Sequence, residues 1–352
     1  MPPQTLGLSD LAFLAQGQAV PGAVGGWVEL DRTTLGSPGE EITVTGLADK
    51  RYYMTLYDGQ QNADLSVFLR AGNGSVDIGT NYANRISSNG GTDSTFINRA
   101  NIVQGTSGGG AFDEFGVGYW ANLSGKEKLQ QSHTVGPSNA GAGSAPFRAE
   151  CVGKWVNTAN PLDTISYGEF SSGSFATGSE LVVLGWDPTD THTNNFWEEI
   201  FSQQLISDNQ NFSTGTISAR KYLWLQFYQV GMTGNAAWRF NGDSTTSYSR
   251  RHEINGAADA IVTLQTSLLN VLTGGTGDRQ SFTNAFIINN SASEKLLIFN
   301  TVFGPTGAGT TPQKILGVCK WDEVAAQITS MTVDDSGAGF DTGSFLKIWG
   351  AN

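Results

Sequence analysis

The sequence predicts an all-β chain: two tandem antiparallel β-sandwich, jelly-roll-like domains arising from internal duplication, with an extended N-terminal arm. Three observations predict it. First, the closing stretch is written twice. Thr164-Ile165-Ser166-Tyr167, then Ser172-Gly173-Ser174-Phe175-Ala176-Thr177-Gly178-Ser179 and an apolar run to Gly185, return as Ile328-Thr329-Ser330-Met331, Phe340, Gly343-Ser344 and a run to Gly350. Phe175 and Phe340 stand at the same separation as the two Gly-Ser pairs, and internal repeats of this kind decide the fold. Second, short runs rich in β-branched and aromatic residues recur at roughly 10–15-residue intervals between Gly, Asn, Asp and Ser clusters, the pattern of a sandwich or jelly roll. Third, Gly is 45 of 352 residues while the hydrophobic fraction is 39%. That is nearly twice the usual ~7% Gly, with enough apolar mass for ordinary cores and many tight turns. A chain of this length suits two domains, each large enough to fold without staples.

Residues 1–26 have no counterpart in the second copy. Ser9 or Asp10 can cap a short turn, and Leu6, Leu8, Leu11, Phe13 and Leu14 are too apolar for a solvated tail. An arm docking on a neighbouring subunit is expected, with folding back on its own domain as the alternative. Residues 27–186 form the first domain, with strands expected at 41–46, 51–58, 65–71, 82–88, 95–103, 112–120, 127–134, 149–156, 163–168 and 180–185. Tyr52, Met54 and Leu56 alternate with Tyr53, Thr55 and Tyr57, so this strand carries bulk on both faces and is expected to be covered on both. Gly108-Gly109-Gly110 and Gly136 to Pro146 are expected loops, and neither has the residues of a phosphate cradle.

Residues 187–195 form a short polar linker containing Pro188, expected to hold the units side by side. Residues 196–352 form the second domain. Its densest apolar strand is Lys221 to Tyr228, Ala236 to Asp243 reads as a strand entering an Asn-Gly hairpin turn, and 258–273 reads as a strand pair. The duplication runs through both: Lys50-Arg51-Tyr52 answers Arg220-Lys221-Tyr222, Glu127-Lys128-Leu129 answers Glu294-Lys295-Leu296, and Lys154-Trp155 answers Lys320-Trp321. Gly141-Ala142-Gly143 answers Gly307-Ala308-Gly309.

Net charge is −12, and the basic pairs Lys50-Arg51, Arg220-Lys221 and Arg250-Arg251 read as solvated strand ends. Nucleic-acid binding, which needs clustered cations, is not expected. Cys151 and Cys319 read as small buried hydrophobes in separate domains, consistent with folding in a reducing cytoplasm. No basic leader with an apolar core opens the chain, and no stretch reaches the length of a membrane span.

The residues carry no catalytic signature. His133, His192 and His252 are not spaced as metal ligands. The carboxylate pairs Glu40-Glu41, Asp113-Glu114, Glu198-Glu199 and Asp334-Asp335 are adjacent, so on a strand they point to opposite faces and cannot flank one bond. That leaves open a pair from distant segments, and calcium at Asp334-Asp335 or Asp187 to Asp190, where no EF-hand spacing is met. No catalytic residue, cofactor site or metal site is assigned. Trp120, Trp224, Trp238 and Trp349 read as core; Trp186, at the domain junction, is the candidate for stacking on a ligand.

Leu30-Asp31-Arg32-Thr33-Thr34-Leu35-Gly36-Ser37, Asn84-Arg85-Ile86-Ser87-Ser88-Asn89-Gly90-Gly91, Glu150-Cys151-Val152-Gly153-Lys154-Trp155 and the twice-written Phe-x-x-Gly-Ser ending resemble structural proteins of tailed-bacteriophage particles. The resemblance covers nearly all of residues 27–352, once per domain, and implies placement in a virion assembled in a bacterial cytoplasm. It brings no catalytic residues. Without a heptad or fibrous shaft and without a long helix, two compact sandwiches with an apolar arm suit a head decoration (cement) protein, expected to be a homotrimer bound to the major capsid protein or other virion proteins. The runner-up is a tail-tip, nozzle or fibre module binding a host glycan; a carbohydrate-binding module outside any virion is third. Neither nucleic acid nor a membrane is an expected partner.

Overall fold

Strands dominate because bulky β-branched and aromatic residues alternate over short runs that Gly and Asn close. The computed structural model describes residues 26–352 apart from 62–65, 107–112, 138, 171–172, 191, 193, 209, 232–234, 271–278, 306, 336 and 338. The expected arm residues Leu6, Leu8, Leu11, Phe13 and Leu14 therefore lie outside the described residues, as does Gly108-Gly109-Gly110. All regular structure among the described residues is antiparallel β, and no helix there is long and apolar enough to cross a membrane.

The first strands are β1 (Val28–Thr34), β2 (Glu41–Val44), β3 (Tyr52–Gly59), β4 (Ser66–Gly72), β5 (Tyr82–Ser88) and β6 (Ser94–Arg99). There follow β7 (Ile102–Thr106), β8 (Glu114–Ala121), β9 (Lys128–Pro137), β10 (Pro146–Trp155), β11 (Thr164–Glu169) and β12 (Glu180–Trp186). The next are β13 (Glu198–Gln204), β14 (Phe212–Ser213), β15 (Tyr222–Gln229), β16 (Ala236–Phe240), β17 (Tyr248–Ile254) and β18 (Ala260–Gln265). The last are β19 (Leu268–Asn270), β20 (Arg279–Ile288), β21 (Lys295–Pro305), β22 (Gln313–Trp321), β23 (Met331–Asp335) and β24 (Phe345–Ala351).

An eight-stranded sheet runs β1-β12-β3-β8-β9-β10-β5-β6, and a four-stranded sheet runs β2-β11-β4-β7. The later sheets run β13-β24-β15-β20-β21-β22-β17-β18 and β14-β23-β16-β19, the same two orders carried twelve strands further along. In each half the short sheet covers one face of the long one. Tyr57 on β3 stacks on Tyr167 of β11 with ring centroids 4.5 Å apart, joining the sheets through the first core.

Individual bonds repeat as well. Trp155 Nε1 donates to Asp77 Oδ2 and Trp321 Nε1 to Asp243 Oδ2, each at 2.7 Å. Phe175 and Phe340, both fully buried, plug the same end of their sandwiches. Behind them Gly178 (φ 94°) and Gly343 (φ 92°) turn left-handed, where a side chain would be strained. Ser179 and Ser344 then each accept a bond from a backbone N–H, of Gln60 and of Val230, at 2.9 Å.

The two long sheets pack face to face, so the order of layers is short, long, long, short. Met54, Leu56 and Leu184 from the first half meet Phe286, Leu296 and Ile298 from the second in a third core. Both faces of β3 are thus buried, as its double alternation predicts.

Several expectations need correction. The expected strand 95–103 is two strands, β6 and β7, which belong to different sheets; the chain leaves the first sheet at Ala100-Asn101, while Asn98 at φ 52° sits at a register shift within β6. β1 is missing from the expected strands because its residues are only half-buried and do not alternate cleanly. The loop expected from Gly136 to Pro146 is shorter, since both ends extend β9 and β10. Asn241-Gly242 (φ 51° and 71°) makes a turn but no hairpin: β16 pairs with β19 and β23, and the turn hands the chain across the sandwich to β17. The pair Arg250-Arg251 is not a solvated end. It lies within β17, and Arg250 is 6% exposed, because strand alternation sends one guanidinium to each covered face. The strand pair expected in 258–273 is two strands, β18 and β19, that lie in different sheets and do not pair with each other.

The shared third core couples the halves, so a single cooperative thermal transition is expected in calorimetry. Phe340→Ala is expected to cost about 3–5 kcal/mol and to shift that whole transition, whereas Ile206→Ala, at 88% exposure, is expected to stay within about 0.5 kcal/mol. Two separated transitions, only one of them shifted, would contradict the shared core.

Candidate functional site

Strands β8, β9 and β10 present one face to the other half and leave part of it uncovered. The covered part is held by two buried polar clamps. Arg148 on β10 reaches Asp259, just before β18, at 2.7 Å and Glu150 at 2.7 Å. Both Arg148 and Asp259 side chains are 2% exposed, so the pair is shielded from water, with Glu150 as the guanidinium's second carboxylate partner. In the second clamp Lys221 lies 2.9 Å from Asp58 and 3.0 Å from Glu180. Tyr222 Oη donates to Glu180 at 2.8 Å, and Asn290 Nδ2 donates to both oxygens of Asp58. Burial pushes Asp58 up despite Lys221, while for Glu180 burial is outweighed by Lys221 and three hydrogen bonds and its pKa falls.

The loop between β9 and β10 is the third contact. Gly141 N and Ala142 N donate to Glu294 Oε1 (2.5 Å) and Asp322 Oδ2 (3.0 Å). Lys320 Nζ donates to the carbonyl of Asn139 at 2.6 Å, and Arg251 Nε to that of Pro146 at 2.8 Å. Leu264 N donates to Ala142 O at 3.0 Å. These backbone groups are satisfied by the other half, which is why Ala142 can sit buried in it.

The uncovered part is an open groove of about 690 Å³, floored by Tyr119, Leu129 and Val152 and walled by Phe96, Ile97 and Lys154. Leu129, Val152 and Ile97 are all more than half exposed. Beside it, between the halves, lies a cavity of about 380 Å³ lined by His133, Glu150, Asn284 and Asn300 among others. Burial, aided by Arg148, drives the His133 pKa down to about 3, so the ring is neutral there.

The sequence-predicted candidate Trp186 closes β12, half-buried. It stacks on Tyr52 (5.4 Å) and tilts against Trp27 (6.3 Å). Tyr52 also lines the groove, so this aromatic set forms one of its ends. Trp120 and Trp238 lie in the sandwich cores, while Trp224 and Trp349 pack beside the third core. The residues that sequence reasoning missed are Leu129 and Val152. The signal was present: both occupy strand positions whose partners in the repeat are apolar as well.

Among the described residues, titratable groups gather at the joint: His133 Nε2 lies 3.7 Å from Glu150 Oε1, and Glu150 and Asp259 both pair with Arg148. Among the described residues no three His, Cys, Asp or Glu side chains gather as a metal site. Cys151 and Cys319 are buried thiols pushed up to about 12 by burial, which leaves them protonated and unreactive. His252 is likewise buried and lowered to about 4, by burial and the nearby Arg250. His192 lies in the 187–195 segment with Asn195 at 3.3 Å, and that segment is tied to the first half by Lys50 and Asp190 at 2.6 Å. In the pair Asp113-Glu114, burial lifts Glu114 to about 8 even though Gln61 donates to it at 3.1 Å, and lifts Asp113 to about 6.

No protein-family model matches the chain, and no curated protein matches it. Among solved structures, the outer membrane protease OmpT of Escherichia coli aligns at 10% identity over 86% of this chain and 98% of its own, with a TM-score of 0.11. A likeness that slight carries no argument about fold or activity.

Glu114 folds protonated and unfolds with an ordinary carboxylate pKa, so its contribution is full below about pH 4.5 and is lost as pH rises towards about 8. Glu114→Gln is therefore expected to raise the melting temperature at pH 9 relative to the wild type and to change it little at pH 4; equal shifts at both would count against this assignment. Asp259→Ala, which leaves the buried Arg148 with Glu150 as its carboxylate partner, is expected to cost about 2–3 kcal/mol in denaturant unfolding. A cost below about 1 kcal/mol would mean the pair is solvated.

Proposed function

We propose that this chain is a non-enzymatic structural protein of a tailed-phage particle, bound to the head surface as a decoration (cement) protein. The strand order supports reading each half as a jelly roll that arose by duplication. Strands 1-12-3-8 facing 2-11-4-7 are the eight strands of two Greek keys, widened by the β5–β6 and β9–β10 hairpins, and the second half repeats this. That architecture is common in capsid and lectin domains. The single observation that carries the reading is where apolar surface remains: in a broad groove on a rigid sheet, suited to a protein surface.

The mechanism is mass action. A protein that binds the assembled shell and not its free subunits stabilises the shell by the free energy of that binding. The arm residues Leu6, Leu8, Leu11, Phe13 and Leu14 would add apolar contact at a neighbouring subunit.

A second reading, a tail-tip, nozzle or fibre module that binds a host glycan, is favoured by one observation. Tyr52, Trp27 and Trp186 form a partly exposed aromatic set at the groove's end. Sugar rings stack on such faces.

Deleting residues 1–20 is expected to leave the melting temperature unchanged while occupancy on purified heads, read by quantitative gel and cryo-EM, falls at least tenfold. Full occupancy by the truncated protein would remove the arm from the mechanism, and density on the tail instead of the head would favour the second reading. Under that reading, a matching glycan should quench tryptophan fluorescence in the wild type and not in Trp186→Ala.

A further inference from the structure

The joint between the halves is not symmetric. Were the halves related by a two-fold axis, equivalent residues of both would be buried in it. Some equivalent residues do enter it from both halves, Tyr119 with Phe286, Met54 with Trp224 and Leu184 with Trp349, but the flanking surfaces differ. The first half supplies a plug: Val135 and Phe115, the loop around Ala142, and Arg148. The second supplies a socket: Leu296, Val318, Glu294 and Asp259.

Strand register identifies the counterparts. Leu129 faces Ala121 as Leu296 faces Ile288, and Val152 faces Gln131 as Val318 faces Ile298. Val135 faces Arg148 as Val302 faces Lys314. Arg148 N and Lys314 N each take a 3.0 Å bond to the side chain of Asn89 or Asn255. The loops match too: Ser144 N donates to Gly141 O and Thr310 N to Gly307 O.

Most counterparts are exposed, and Phe282 and Glu127, which match Phe115 and Glu294, are half-buried. Leu296 and Val318 are 0% exposed, whereas Leu129 and Val152 are 56% and 53%. Val135 is 0% exposed and Val302 48%. The Arg148 and Asp259 side chains are 2% exposed, but Lys314 and Asp93 are 54% and 44%. Ala142 is buried and Ala308 exposed. One chain therefore carries one filled joint, one empty socket in its first half, and one unused plug in its second. The empty socket is the apolar groove of about 690 Å³.

We propose that the groove is filled by a second copy of this chain, head to tail, whose Val302, Gly307-Ala308-Gly309 loop and Lys314 enter it as Val135, Gly141-Ala142-Gly143 and Arg148 enter the socket within the chain. Lys314 of the incoming copy pairs with Asp93, and Glu127 accepts the Gly307 N–H as Glu294 accepts that of Gly141. One clamp is not reproduced. Register puts Tyr228 and Phe345, stacked at 5.7 Å, where the first half has Asp58 and Glu180. The joint between copies thus places rings near Arg51 in place of the buried Lys221 ion pairs. A head-to-tail contact of this kind closes into a ring or runs on as a filament, according to its rotation. The proposal takes the same groove that carries the virion reading and gives it to a second copy of this chain in place of a shell surface; the assembly state tests the first and occupancy on heads the second.

Sedimentation velocity and light scattering of the full chain test it. The wild type is expected to be an oligomer. Val152→Asp, which blocks the socket, and Val302→Asp, which blocks the plug, sit at exposed positions and are each expected to be monomeric. Mixed in equal amounts, they are expected to form a dimer of one chain of each and nothing larger, since only one intact socket–plug pair remains. Asp93→Lys and Lys314→Asp are expected to weaken assembly at least tenfold singly and to restore it together. Ile206→Asp, exposed elsewhere, is expected to leave it unchanged. A monomeric wild type, an oligomer indifferent to both blocks, or a mixture that does not dimerise overturns the proposal. A monomeric wild type that assembles once residues 1–25 are removed also overturns it, and gives the groove to that segment.

Discussion

The structure depends on the double burial of its two eight-stranded sheets. A sheet with one wet face alternates polar and apolar residues; one covered on both faces must carry bulk at every position. Once the inner faces of both long sheets are apolar, neither half can stand alone without exposing a broad patch to water. The four-layer order follows from that constraint. So does the placement of charge, because every ion that enters the third core needs a partner from the opposite half. Arg148 finds Asp259, and Lys221 finds Asp58 and Glu180. Such pairs add little net stability, but they penalise any misregistered docking, in which one ion would be left bare.

The titratable groups fit the same account. Histidines kept neutral by burial, thiols held protonated and a carboxyl lifted to about 8 all result from packing. Perturbed groups mark an active site when they converge on one cleft with free polar atoms around them. Here Glu114 faces Gln61 inside the first half, while His133, Glu150 and His252 sit around Arg148 at the joint between the halves.

Much of this was legible in the residues. The repeated Phe plug and Gly-Ser turn sit where the sequence places them, because a left-handed glycine and a buried ring leave few alternatives. The double alternation at Tyr52 to Tyr57 announced a strand covered on both faces. What stayed hidden was relational. Asn241-Gly242 has the chemistry of a hairpin turn, but whether the next strand returns to the same sheet depends on packing far away in sequence. Arg250-Arg251 reads as a charged end until the partner sheet is known. Leu129 and Leu296 are identical by residue type, and only the arrangement of the halves decides which one meets water. Trp186 reads from the sequence as a ligand-stacking candidate, and its stacking on Tyr52 follows only from how β12 lies beside β3.

The strand order also sets a timetable. In each half the first strand hydrogen-bonds to the last, β1 to β12 and β13 to β24, and the second strand waits for the eleventh. A chain leaving the ribosome N-terminus first cannot close its first sandwich until Trp186 has emerged. Such long-range closure is slow, and it leaves strand edges unpaired meanwhile. The finished first sandwich would then present its apolar sheet face to a nascent second half still being made. Synthesis is thus the period when this protein is most exposed to aggregation, and when a chaperone would have most to protect.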